Sequence, residues 1–251
     1  MPTGKSITKQ LPNVITLLNL VSGCLSIVAA LDCDLQLAGL FIILAAVFDF
    51  LDGFTARLIG AYTMLGKELD SLSDVVSFGV APSMIIYELM RQSLELPKNE
   101  GLLNGHWLLL IPFVMAAFSS LRLGIFNLDE RQSSSFIGLP TPANALMIVG
   151  LTFGLNSTWA DVYGIFTSSV WALTAIVALQ SFLLVCELPM FSFKIKSLKL
   201  SVAYKQLLFL SGAAVLVVIF LKAALSLIIV WYVFLSLVFY LTGKMGKKQH
   251  V

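Results

Sequence analysis

Long apolar runs alternate along the chain with short polar joints. A helix that crosses a bilayer needs about 20 consecutive apolar residues. Runs of about that length cover residues 13–31, 35–57, 69–90, 106–127, 139–157, 164–186, 203–221 and 223–242. The pattern predicts an all-α polytopic membrane protein with about eight transmembrane helices. The last two runs are parted only around Lys222, so they read either as two spans or as one broken, tilted element. The longer joints are residues 91–105, 128–138 and 189–202.

Composition points the same way. Of 251 residues, 58% are hydrophobic and 12% charged, where a soluble domain carries about 25% charged residues. Mean hydropathy is +0.93, more apolar surface than one globular core can hide. Cys24, Cys33 and Cys186 have no paired or CxxC spacing and read as packing residues. His106 and His250 fall in a joint and in the tail, which argues against a histidine metal site. The opening MPTGKSITKQLPN is polar and no cleavage-type sequence follows an apolar core, so no removable signal peptide is expected.

Charge placement sets the expected orientation. Lys5, Lys9, Arg57, Lys67, Arg122, Arg131, Lys194, Lys196, Lys199, Lys205, Lys244, Lys247 and Lys248 fall on one side of the alternating joints. Arg91, Lys98 and Lys222 fall on the other. The positive-inside rule then predicts a multi-pass cell-membrane protein with both termini cytoplasmic. It also predicts an even number of spans, eight, or six if the final pair re-enters. The expected organisation is a cytoplasmic segment over 1–12, a membrane core over 13–186, a basic cytoplasmic loop over 187–202, two further spans over 203–242 and a basic tail over 243–251. No nucleic-acid partner is expected.

Four aspartates break this apolar text. Asp49, Asp52, Gly53 and Ala56 share one stripe of the second helix, with Arg57 at its edge; on the third, Gly66, Asp70 and Asp74 repeat every four residues. Both stripes lie near the cytoplasmic joint between spans two and three, with Asp49 roughly 12 Å along its helix from Arg57. Each buried charge costs about 2.5–3.5 kcal/mol at a helix centre, less near its ends. Hard divalent cations such as Mg²⁺ or Mn²⁺ take oxygen ligands, and two would balance four carboxylates. Gly53, Ala56 and Gly66 either clear space for a ligand or permit close helix packing. Arg57 either meets a phosphate or snorkels to the interface.

The spacing D49-x-x-D52-G53-x-x-A56-R57-x8-G66-x-x-x-D70-x-x-x-D74 resembles the signature of the CDP-alcohol phosphatidyltransferase family at every fixed position. The resemblance implies a six-helix catalytic core over 13–186 and displacement of CMP from a CDP-linked lipid by an acceptor alcohol. It implies Asp49, Asp52, Asp70 and Asp74 as ligands of two Mg²⁺ or Mn²⁺ ions, with Asp74 also the general base. Gly53, Ala56 and Gly66 would line the cytidine and phosphate pocket together with Asp52 and Arg57. LPNVITLLNLVSG at 11–23 resembles the family's first helix, with Asn13 and Thr16 either touching the nucleotide or serving as a cap and ordinary span polarity. SFGVAPS at 77–83, RLGIFNLDERQSSSFIGLPTPANA at 122–145 and LLVCELPMFSFK at 183–194 look like the multi-span phosphatidylserine synthase branch. That branch implies CDP-diacylglycerol and L-serine as substrates, and by analogy a homodimer.

Arg122 would bind the serine carboxylate as a fork, or else set topology and pair with Asp129 or Glu130. Asn127, Ser133–Ser135 and Lys194 are weaker candidates for the serine site, and Glu187 reads equally as an interfacial residue. The same family with glycerol 3-phosphate or inositol phosphate as acceptor is the nearer alternative. An ion-coupled transporter is the more distant one, since intramembrane carboxylates also mark ion paths. Its charges would sit nearer the midplane, within repeated halves that this sequence lacks.

Overall fold

A computed structural model describes residues 10–128, 136–190 and 200–242. Ten α-helices order these residues: α1 (Leu11–Leu31), α2 (Leu35–Ile59), α3 (Met64–Asp74), α4 (Ala81–Ser93), α5 (Pro112–Leu128), α6 (Thr141–Leu155), α7 (Ala160–Thr167), α8 (Val170–Val185), α9 (Leu200–Phe220) and α10 (Ala224–Leu241). A π-helical segment, Val75–Val80, joins α3 to α4 without a break, and a two-stranded antiparallel ribbon pairs Phe136 with Met190 and Ile137 with Pro189. Polytopic all-α architecture is therefore as the apolar pattern predicts.

By length and apolarity, five helical stretches among the described residues suffice to cross a membrane, six if one bent pair counts as a single crossing. Eight is not reached by this measure: one predicted run is short, one is broken, and the last two, joined without a gap, are counted once although they fold as a hairpin. The run at 139–157 forms α6, only 15 residues long and so about 22 Å. The run at 164–186 breaks into α7 and α8, which meet at 85°. The last two runs form one 38-residue stretch, Tyr204–Leu241. That stretch turns at Leu221–Ala223, where Leu221 takes φ 48°. Its arms fold back on each other, for Tyr204 meets Phe239 at 6.0 Å and Phe209 meets Tyr232 at 5.8 Å between ring centroids.

The N-terminal helices are built with large side chains outward and small ones inward. On α1, Leu11, Val14, Leu18, Val21, Leu25 and Val28 are exposed, while Thr16, Asn19, Ser22, Gly23, Ser26 and Ala30 are buried. Lipid tails solvate leucine as well as another leucine does, so helices associate through close packing and hydrogen bonds, which small residues allow. Ser26 Oγ donates to the Ala38 carbonyl at 2.8 Å, and Ser77 Oγ to the Asn19 carbonyl at 3.0 Å. A Cβ on Gly23 would collide with the Ser77 backbone.

The chain reverses tightly between the two aspartate helices. Gly60 closes α2 in the left-handed conformation at φ 62°, and its N–H returns to the Ala56 carbonyl. Thr63 opens α3, its Oγ1 accepting from the Gly66 N–H at 2.9 Å. A glycine stop followed at once by a threonine start sends α2 and α3 back along the same depth range. At the far end of the bundle Glu88 and Arg91, both buried, form a bidentate pair at 2.6 and 2.8 Å. Arg91 also donates to the Leu96 carbonyl at 2.6 Å and to Cys33 Sγ at 3.4 Å, which ties two turns to α4.

The C-terminal hairpin is locked onto α6 by a second close approach. A Cβ on Gly150 would overlap Ser226 backbone atoms, so the helices would have to separate. Gly150→Ala should destabilise the protein by about 1–3 kcal/mol, read as a lower melting temperature in detergent. Gly124→Ala, where nothing lies within 4 Å of the added atom, serves as the control and should change little.

Candidate active site

The turn between α2 and α3 places the predicted aspartates together. Asp49 on α2 and Asp70 and Asp74 on α3 each offer a carboxylate oxygen, and the three oxygens lie within 4.8 Å of one another. Asp52, one turn along α2, lies beside this group and faces an adjoining cleft. Helix α1 supplies the second wall. Thr16 Oγ1 donates to Asp52 Oδ2 at 2.6 Å, Asn19 Nδ2 donates to Asp74 Oδ1 at 3.2 Å, and Ser73 Oγ donates to the Thr16 carbonyl at 3.2 Å. These bonds hold two of the carboxylates at fixed angles.

Charge balance points to a cation. Three acidic groups this close, if ionised, repel by about 3–4 kcal/mol per pair at an effective dielectric of about 20. No Lys or Arg ion-pairs with any of them among the described residues. Asp70 Oδ1 and Asn19 Oδ1 are buried and accept no hydrogen bond among those residues. Oxygen-only donors with unfilled lone pairs suit a hard divalent ion.

The cleft has a volume of about 490 Å³ and is lined by Pro12, Asn13, Thr16, Asp52, Gly53, Ala56, Ala61, Tyr62, Thr63, Met64, Gly66, Lys67 and Asp70. Six of the residues expected from the sequence to face a CDP-lipid are on that wall: Asn13, Thr16, Asp52, Gly53, Ala56 and Gly66. Nothing lies within 4 Å of a Cβ built on Gly53, so this glycine serves open space and not helix packing. At Gly66 such an atom would press on Asn13 Oδ1 and Thr63 Oγ1 at 3.0 Å, so there the glycine admits close neighbours. Arg57 is exposed in the last turn of α2 and is not part of the wall.

The other candidates lie on α5. Asn127 donates to Ser71 Oγ at 2.8 Å and its carbonyl accepts from Lys67 Nζ at 3.3 Å, which braces α5 against α3. Arg122 is 4% exposed, and its Nε donates to the Leu139 carbonyl at 3.3 Å. Its guanidinium also stands 5.7 Å from the Phe126 ring centroid. Asp129, Glu130, Arg131, Ser133–Ser135 and Lys194 lie outside the described residues. Glu187 lies just before the ribbon strand at Pro189, and His106 pairs with Glu100 at 3.5 Å in a joint.

Sequence reasoning missed Asn19, Tyr62 and Thr63. Asn19 is the one a pattern would have found, since Thr16 and Asn19 share a face of α1 at helical spacing. Tyr62 and Thr63 join the wall only because of the turn between α2 and α3.

Comparisons with known proteins agree with the geometry. The family model described as CDP-alcohol phosphatidyltransferase matches residues 9–180. The CDP-diacylglycerol–serine O-phosphatidyltransferase of Bacillus subtilis is 34% identical over 146 residues, 58% of this chain and 77% of that protein. The protein of the same name from Mycobacterium leprae is 32% identical over 190 residues, 72% of this chain and 57% of its own length. The archaetidylserine synthase of Methanothermobacter thermautotrophicus is 38% identical over 152 residues, 59% of this chain and 60% of its own. The chain thus spans less than two thirds of the second and third of these relatives.

If the carboxylates hold a cation, Mn²⁺ at about 100 times its Kd should stabilise the fold by about 2.7 kcal/mol. The expected result is a melting temperature that rises with added Mn²⁺ for the unaltered protein and is insensitive to Mn²⁺ in Asp70→Asn.

Proposed function

Because the chain belongs to the CDP-alcohol phosphatidyltransferase family, we propose that it transfers the phosphatidyl group of CDP-diacylglycerol to the hydroxyl of L-serine, giving phosphatidylserine and CMP. The observation that carries this reading is the convergence of Asp49, Asp70 and Asp74 beside a cleft walled by Asn13, Thr16, Asp52, Gly53, Ala56 and Gly66. Relatives named for the same transfer, and for the corresponding archaeal lipid, support serine as the acceptor.

Each part of the site then has a task. The cytidine and its phosphates lie along Asn13, Thr16, Gly53, Ala56 and Gly66, where absent side chains let the ligand approach backbone. Asp52 is held by Thr16 at the cleft wall, and the exposed Arg57, in the last turn of the same helix, would attract the anionic substrate from outside the wall. Two Mg²⁺ or Mn²⁺ ions held by Asp49, Asp52, Asp70 and Asp74 would neutralise the pyrophosphate and the leaving CMP. Asp74 receives Asn19 on Oδ1, and its other oxygen takes the proton from the serine hydroxyl. The serine oxygen forms a bond to the phosphorus that bears the diacylglycerol. The bond from that phosphorus to the bridging oxygen breaks, and CMP leaves with the electron pair. Arg122 meets the serine carboxylate as a planar fork. The placement of Lys and Arg supports a site on the cytoplasmic face, at the depth where a lipid diphosphate would sit with its tails still in the bilayer.

The test is an acceptor panel: purified protein with CDP-diacylglycerol, offered labelled serine, glycerol 3-phosphate or inositol phosphate separately. Label should enter lipid from serine alone, EDTA should abolish the reaction, and Mg²⁺ or Mn²⁺ should restore it. Transfer to another acceptor instead would replace the serine reading. Asp74→Asn should lower kcat by about 10²–10⁴, with CDP-diacylglycerol binding and melting temperature retained; unchanged turnover would remove Asp74 as the base.

A further inference from the structure

Asn144, in the first turn of α6, is wholly buried, and neither its Oδ1 nor its Nδ2 has a hydrogen-bond partner among the described residues. A buried amide with both atoms unmatched bears its full desolvation penalty. Side chains on a helix lean toward its N-terminus, so this amide leans over the opening turn of α6. That turn begins at Pro140 with no side-chain cap, and Pro142 follows within it. The free N–H groups there, with the helix dipole, favour an anion.

Arg122 is fixed at the same turn through its bond to the Leu139 carbonyl. Helix α5 runs antiparallel to the rod formed by α3 and the π segment. Ser119 packs on Gly79, and Asn127 bonds Ser71. Interpolating between these two contacts sets Arg122 at the level of Val76 along the rod. The π segment packs against both α5 and α6, and it follows Asp74 directly in the chain.

We infer that Asn144 and the first turn of α6, together with Arg122, form the subsite that takes the zwitterionic head of the acceptor amino acid. The inference rests on the serine-transfer reading and assigns the residue that selects among acceptors. Guanidinium and helix N-terminus match the carboxylate. The asparagine offers the one combination a zwitterion needs, an amide hydrogen for the carboxylate and a carbonyl oxygen for the ammonium. A phosphorylated polyol has no ammonium and would leave that oxygen unmatched.

The test compares Asn144→Leu with the unaltered enzyme, and Asn144→Ala is the second variant should the leucine prevent folding. Steady-state CMP release is measured against serine and against CDP-diacylglycerol. The KM for serine should rise about tenfold or more, as expected for losing a hydrogen bond to a charged group, and the KM for CDP-diacylglycerol should stay within about twofold. A serine KM unchanged in a folded variant overturns the inference. So does an equal rise in both KM values, which would mark Asn144 as structural. Failure of the unaltered enzyme to release CMP with serine would instead overturn the transfer reading itself.

Discussion

Carboxylates that meet within 4.8 Å at the edge of a bilayer repel one another and lose most of their water, so the surrounding helices have to hold them against both costs. Much of the N-terminal half can be understood from that constraint. Thr16 and Asn19 grip Asp52 and Asp74 from α1, and Ser73 and Ser77 tie α3 and the π segment back to the α1 backbone. Among the described residues, Asp70 Oδ1 accepts no hydrogen bond, and an oxygen-only donor set of this kind suits a hard cation.

The same constraint explains why small residues dominate the inner face. Helices that must present acids to one another at short range need their axes close, and leucine-sized side chains would keep them apart. Gly23 against Ser77 and Gly79 against Ser119 allow that approach, while the large apolar side chains of α1 turn outward. Packing in this region is therefore inverted relative to a water-soluble bundle, and it rests on hydrogen bonds and shape more than on apolar burial. At the opposite end, where no ligand is expected, a buried charge has its partner built in: Arg91 meets Glu88 in a bidentate pair. The acid there is paired, whereas the cluster at the other end has no Lys or Arg ion pair among the described residues.

The second half of the chain contributes in another way. Helices α5 and α6 carry no acid to the cluster; both pack against the π segment, and Arg122 on α5 bonds the carbonyl of Leu139 just before α6. The ribbon between Phe136–Ile137 and Pro189–Met190, with the Leu139 N–H bonded to the Leu183 carbonyl, anchors the start of α6.

By itself, the sequence determined the membrane class, the helical content and the acidic motif, because each depends on local pattern: apolar length for a span, and periods of three and four for residues on one helix face. It also marked Asn13, Thr16, Gly53, Ala56 and Gly66, since their places follow from the same helical phase as the aspartates. Contacts between helices decided the rest. The bend between α7 and α8 leaves little trace in hydropathy, because both arms are equally apolar; Lys222 marks the break at Leu221–Ala223, but only the packed aromatic pairs show that its arms fold back on each other. Arg57 and Asp52 are near neighbours in sequence, yet one is exposed and the other buried against Thr16. Asn144 reads as one more polar residue in an apolar run. Only the tertiary packing reveals that its amide is buried without a partner among the described residues, since an unmet hydrogen bond is a property of neighbours in space and not along the chain.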